Sequence, residues 1–180
     1  MEVTSSVLAL VAGAGAIALV VVALLGDRVP ALAGIAAGVH RRRTEWTFAV
    51  AGVATLGSLY FSEVADYIPC RLCWFQRILM YPIALIALIA LIRRDRFSHW
   101  YTVPFAVIGV GVSLYHYLIE RGVFADSESC LALGTSCAAI WFEEFGFVTL
   151  AFMALCGFVA VIAVNLVPSI GGRPPTEEDS

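Results

Sequence analysis

Four cysteines occur in two spaced pairs. Cys70 and Cys73 lie in Pro69-Cys70-Arg71-Leu72-Cys73, and Cys130 and Cys137 are separated by Leu131-Ala132-Leu133-Gly134-Thr135-Ser136. A C-x-x-C closes a small ring that is easily reduced and reformed, the spacing of a redox thiol pair rather than of a structural staple. A helix that begins at about Cys70 would set its positive N-terminal dipole against the pair and favour a thiolate there. In an oxidising compartment the wider pair, Cys130 and Cys137, is a second candidate disulfide. Static loop disulfides and a four-thiolate zinc site are the alternative uses of four such cysteines. Zinc ribbons use two short C-x₂₋₄-C knuckles, which the second pair does not match. The fifth cysteine, Cys156, stands alone in an apolar stretch and reads as a small packing residue.

Four further polar residues have spacings that matter. Arg77 falls about one turn inside the apolar stretch that follows the C-x-x-C, where a charge is costly and marks a functional site unless it snorkels back to the headgroups. Cys73 and Arg77 are i and i+4, with Gln76 at i+3, so all three share one helix face. A guanidinium there can stabilise the Cys73 thiolate and donate to a carbonyl oxygen of an apolar, membrane-dissolved oxidant. A quinone has that chemistry and that location. His116 and Glu120 form another i, i+4 pair, near the end of the stretch Ser113-Leu114-Tyr115-His116-Tyr117-Leu118-Ile119-Glu120. A histidine at that depth either donates a hydrogen bond or a proton to a reduced quinone oxygen, or sits satisfied in an aromatic belt with Tyr115 and Tyr117. Trp46, Trp74, Trp100 and Trp141 read as interface anchors, and Glu143 and Glu144 as solvation of a span end. No phosphate-binding loop is proposed for Gly13 and Gly15, which lack a strand-loop-helix context.

The elements that must carry these residues are membrane spans. The chain has 180 residues, 61% hydrophobic and 14% charged, with a mean hydropathy of +0.89, far from the balance of a soluble domain. A span needs about 20 apolar residues, and residues 7–25, 46–62, 74–92, 101–119 and 145–167 qualify. The shorter, Gly/Ala-rich piece at 29–39 reads as an interfacial or re-entrant segment. All 11 basic residues are arginine and the net charge is −3, so no nucleic-acid partner is implied. His40-Arg41-Arg42-Arg43 and Arg93-Arg94-Asp95-Arg96 each flank a span and belong on the cytoplasmic side. The loops at 63–73 and 120–144, where acidic residues outnumber basic ones, then face outward with four of the five cysteines. The N-terminal stretch Met1-Glu2-Val3-Thr4-Ser5-Ser6 has no basic region and makes a poor cleavable signal, so an uncleaved first span with its N-terminus outside is expected. The alternative is a four-helix count with a processed N-terminus. Residues 168–180 read as a polar, disordered cytoplasmic tail.

At Cys70-Arg71-Leu72-Cys73-Trp74-Phe75-Gln76-Arg77-Ile78-Leu79-Met80-Tyr81-Pro82 the chain resembles the DsbB family of disulfide bond formation membrane proteins, in particular its BdbC-like branch with a short second loop. Tyr115-His116-Tyr117, the segment from Cys130 to Cys137, and Phe145-Gly146-Phe147-Val148-Thr149 resemble that branch as well. The resemblance implies an all-α membrane protein with a four-helix transmembrane bundle, here residues 46–167. An extra N-terminal transmembrane helix with an arginine-rich connector, residues 1–45, is outside the family core. The resemblance implies a quinone, ubiquinone or menaquinone, as electron acceptor. It also implies a DsbA-like extracytoplasmic thioredoxin-fold oxidase as thiol partner, at the cell membrane. By the same resemblance the partner attacks Cys130, whose pair mate is Cys137. Electrons pass to Cys70 and Cys73, and Cys73 meets the quinone beside Arg77, Gln76 and His116. A vitamin K epoxide reductase-like quinone reductase is a rival reading, but in that family the membrane-proximal C-x-x-C follows the loop pair in the chain. A rival of another class is a non-catalytic scaffold with two loop disulfides.

Overall fold

The computed structural model describes residues 2–25, 30–95, 97–125 and 135–167. Among them are six helices, α1 (Glu2–Leu25), α2 (Pro30–Arg41), α3 (Arg43–Glu63), α4 (Arg71–Arg93), α5 (His99–Glu120) and α6 (Leu150–Leu166). One isolated antiparallel bridge joins Glu144 to Val148. Each of the five expected spans falls on one helix, α1, α3, α4, α5 or α6, and the short 29–39 piece becomes α2 from Pro30 onward. The last span begins later than the apolar run does. Phe145 and Gly146 take left-handed backbone (φ 55° and 75°) in the turn closed by the Glu144 and Val148 bridge, and the helix starts only after Thr149.

Among the described residues, three helical stretches are long and apolar enough to cross a membrane: Glu2–Ala23, Arg71–Arg93 and His99–Glu120. At about 1.5 Å per residue, the 17 residues of the apolar helix α6 fall short of a full span. α3 has the length, at 21 residues, but carries Arg43, Glu45, Ser58, Ser62 and Glu63. Both nevertheless pack inside the bundle. The protein is an all-α membrane protein, and large exposed apolar side chains such as Val11, Ile17, Leu56, Ile92 and Ile108 stand on its outer faces, as lipid contact allows.

α3, α4, α5 and α6 close a four-helix ring in which each packs on its sequence neighbour and α6 returns to α3. Its centre is built from all four, with Ala51, Met80, Ile83, Ala106, Phe158 and Val161 buried together. Apolar burial alone does not drive association in lipid, so close approach of small residues matters. Gly109 is the clearest case: a Cβ there would stand 2.3 Å from the Phe158 ring, so α5 approaches α6 as closely as it does only because the position is glycine.

α1 lies outside the ring against α6, along a seam of Ala16, Ala160 and Ala163. Gly13 belongs to the same seam, and a Cβ there would sit 3.1 Å from Cys156 Sγ, so Cys156 is a packing residue under α1. The direction of α1 is set at both ends. The Tyr67 hydroxyl donates to the Glu2 carboxylate at the cysteine-bearing end, and that bond raises the Tyr67 pKa. Val22 packs with Ala36 and Val167 at the other end, where the His40 ring nitrogen Nδ1 meets the Val167 carbonyl at 2.9 Å. Residues 168–180, expected to be a disordered tail, lie outside the described residues.

Candidate functional site

α4 begins where the C-x-x-C begins. Cys70 is its N-cap with extended backbone (φ −72°, ψ 173°), and its Sγ accepts from the Cys73 amide N–H at 3.3 Å. A sulfur in the N-cap position receives the free amide of the first turn and the positive end of the helix dipole together. The Cys73 sulfur lies 2.9 Å from the same sulfur, a contact in which Cys73 is the donor once Cys70 is ionised, and Cys70 and Cys73 are free of any disulfide. His116 on α5 closes the arrangement from across the bundle, its Nε2 3.5 Å from Cys70 Sγ. The Cys73 thiol and then the His116 ring hold Cys70 well below the usual thiol range, at about 4, against the opposing effect of burial.

The histidine is held on every side. The Gln76 side-chain amide meets His116 Nδ1 at 3.2 Å, donating through Nε2 to a neutral ring or, with the amide flipped, accepting through Oε1 from an imidazolium. His116 Nε2 in turn donates to the Cys137 carbonyl at 3.2 Å and lies 3.9 Å from Glu120 Oε1. Glu120 Oε2 accepts from the Thr149 hydroxyl at 2.6 Å, and that same hydroxyl oxygen caps α6 by accepting from the Phe152 amide. α5 stops immediately after Glu120, where Gly122 adopts φ 71° and the Val123 and Gly122 amides bond back to Leu118 and Ile119. Such a glycine-terminated helix end fixes the residues of its last turn.

The two cysteine segments meet. Cys70, Leu72, Ile119 and Cys137 form one buried cluster, with Cys73 and Val112 packed against it. Cys137 is disulfide-bonded and fully buried. Cys130 lies outside the described residues. A second tie is aromatic: Tyr67, three residues before Cys70, stacks between Phe61 and Trp141, with ring centroids 5.7 and 5.2 Å away. Trp141 thereby pins the segment after Cys137 to the segment before Cys70, beyond the interface-anchor role read from its position.

Arg77 differs from expectation. Its Nη2 donates to the Ser58 carbonyl of α3 at 3.1 Å and its guanidinium lies 5.3 Å from the Trp74 ring centroid, with neither cysteine as partner. The reason is helical rotation. Gln76 is buried toward α5, and one residue turns a helix by about 100°, which points Arg77 at α3 instead. Gln76, expected beside the oxidant, lies against His116 and orients it. Sequence reasoning paired His116 with Glu120 but gave Glu120 no role, and it missed Thr149, whose only signal was a threonine immediately before an apolar run. The donor atoms of Cys70, Cys73 and His116 lie within 4.8 Å of one another, a set of three where structural zinc takes four. A four-thiolate set is closed to metal while Cys137 is in a disulfide.

A free C-x-x-C with a stabilised thiolate, packed against a disulfide-bonded cysteine, is an arrangement for thiol-disulfide exchange. The family model for disulfide bond formation protein DsbB matches residues 40–168. The chain belongs to the DsbB family. Among its curated DsbB-family relatives, disulfide bond formation protein C of Bacillus subtilis is 44% identical over 117 residues, 64% of this chain and 84% of that one. A probable disulfide formation protein C 1 of Bacillus anthracis is 45% identical over 116 residues, covering 64% and 83% of the two chains. The SPbeta prophage-derived disulfide bond formation protein B of Bacillus subtilis is 40% identical over 114 residues, covering 62% and 75%. No solved structure matches the chain. Membership makes the protein a disulfide-generating oxidoreductase of the membrane, of the BdbC-like branch. α1 and nearly all of α2 precede the matched segment.

Proposed function

We propose that this DsbB-family protein is a thiol:quinone oxidoreductase that reoxidises a DsbA-like, extracytoplasmic thioredoxin-fold oxidase. The observation that carries the reading is the Cys70 sulfur, capped by the start of α4, facing His116, and buried in one cluster with disulfide-bonded Cys137. In this reading residues 46–167 are the redox domain, residues 1–45 an accessory helix and connector, and residues 168–180 a tail. The cysteine segments face outward across the cell membrane, because the arginine clusters belong to the other end of the bundle.

A thiolate of the reduced partner attacks Cys130, breaking its bond to Cys137, and the partner's second thiol releases the partner as a disulfide. Cys130 and Cys137 then reduce the Cys70–Cys73 disulfide by a second exchange, which the shared buried cluster favours. When bound, a quinone, ubiquinone or menaquinone, supplies a two-electron, two-proton acceptor. The residues fit such a group: Trp74 and Ile78 are 52% and 58% exposed on either side of Arg77, giving an apolar face with a cation on it. Arg77 spends one N–H on Ser58 and has others for a carbonyl oxygen. His116, steadied by Gln76, faces Cys70 from α5. The decisive experiment mixes the purified, quinone-loaded protein with a reduced thioredoxin-fold oxidase and follows quinone reduction. Wild type should reduce quinone and Cys73→Ser should not; equal signals from the two would remove the proposed path.

A further inference from the structure

We propose that Glu120, acting through His116, holds the proton that leaves Cys70 and gives it up for the reduced quinone when the Cys70–Cys73 disulfide re-forms; the proposal rests on quinone as the oxidant. Re-forming that disulfide makes one sulfur–sulfur bond and breaks the Cys73 S–H bond. Two electrons and two protons pass to the two carbonyl oxygens of the quinone. Cys73 supplies one proton. Cys70 Sγ accepts from the Cys73 amide, lies 2.9 Å from the Cys73 sulfur and is held as the thiolate, so its own proton has to be kept within reach.

The geometry shows where. His116 Nε2 lies 3.5 Å from Cys70 Sγ and 3.9 Å from Glu120 Oε1, and the His116 and Glu120 side chains are each 3% exposed. Bulk water is therefore a poor acceptor, and a buried carboxylate one turn from a histidine is a good partner for an imidazolium. Thr149 fixes the second carboxylate oxygen at 2.6 Å, which aims the first at His116. The charged and titratable groups around the pair are few. Cys70 and Cys73 face it from α4 and the α4 cap, and Arg121 follows it on its own helix. Arg121 is drawn off by Glu143, 2.6 Å away, on the segment that leads to α6. The imidazolium is thus the cation best placed for Glu120. Glu120 is a positioning and proton-holding residue, and Thr149 orients it.

Two readouts test this. In quinone-free, reduced protein the midpoint of the ultraviolet thiolate titration should rise by up to about one unit in Glu120→Gln, no more than in His116→Ala, because an imidazolium without its carboxylate gives the proton back to Cys70 more readily. Glu120→Asp should keep most of the wild-type depression. In the quinone-loaded protein, Glu120→Gln should lower quinone reduction about 10²-fold above neutral pH, the scale of a lost proton-transfer partner. The deficit should shrink as the pH falls and solvent supplies protons, while exchange with the reduced partner stays at the wild-type rate. An unchanged thiolate midpoint in Glu120→Gln overturns the proposal whether or not quinone is the oxidant. A deficit equal at every pH, or one that includes partner exchange, overturns it too by making Glu120 structural. Failure of wild type to reduce quinone removes the quinone reading instead, and the quinone-free titration still decides whether Glu120 holds the proton.

Discussion

The low pKa of Cys70 offers the sharpest test of the site, since each contribution to it is a named atom. In a protein with Cys130, Cys137 and Cys156 replaced by alanine and the remaining pair reduced, thiolate absorbance should titrate with a midpoint of about 4, against the ordinary value of 9.0. The Cys73 thiol is the largest cause. A hydrogen bond to an ionised group is worth about 1.5–3 kcal/mol, and one pKa unit is about 1.4 kcal/mol. Cys73→Ala should therefore raise the midpoint by about one to two units. His116→Ala should raise it less, since its contact is longer, 3.5 Å against 2.9 Å. The helix N-terminus remains in both variants and keeps the midpoint below that of a free thiol. Stability follows with a definite sign. Between about 4 and 9.0 the unfolded chain binds a proton that the folded chain does not, so the stability of the reduced protein rises with pH across that window. It is lost as the pH falls through the folded-state value. A wild-type midpoint near 9.0, or one that Cys73→Ala leaves in place, would refute the reasoning.

Arg77→Ala should weaken quinone use about ten- to hundredfold in KM, the worth of a charged hydrogen bond, while exchange between the protein and a reduced thiol partner is unchanged in stopped-flow assays. Arg77→Lys should restore little, because a point cation cannot serve Ser58 and a second acceptor in the geometry of a fork. Gly109→Ala should cost about 1–3 kcal/mol by overpacking, seen as a lower thermal midpoint in detergent. Adding Phe158→Leu should recover part of the loss, since the clash is with that ring. Thr149→Val should cost about 1–3 kcal/mol by leaving Glu120 Oε2 buried without its donor, and Thr149→Ser should cost little by the same measurement.

Particular residues show how far the sequence could be read. Cys70 is legible as a helix-capping thiolate because a C-x-x-C before a long apolar run places it at a helix start, and the structure puts it at the N-cap. The spans are legible because apolar length is a one-dimensional property, apart from the start of α6. There the Phe145 and Gly146 turn interrupts a run whose composition never changes. Arg77 and Gln76 are legible only as polar residues on the face of Cys73. Which of them meets a sulfur, a histidine or a carbonyl depends on the rotation of α4 about its axis. No local pattern carries that.

The amino-acid sequence by itself determined the membrane class, the helices, the two cysteine pairs and their order, and the arginine clusters that oppose them. Each is set by composition or by spacing within a few residues. Only the tertiary structure decided that His116 lies on Cys70, that Gln76 holds the histidine, that Glu120 and Thr149 complete the set, and that Arg77 turns to Ser58. It also decided that α1 rides on α6 and ties its Glu2 to Tyr67. The physical reason is that helical periodicity fixes which residues share a face within one helix. The facing of one helix toward another is settled by contacts far apart in the chain, such as Phe158 lying where only a glycine at 109 leaves room.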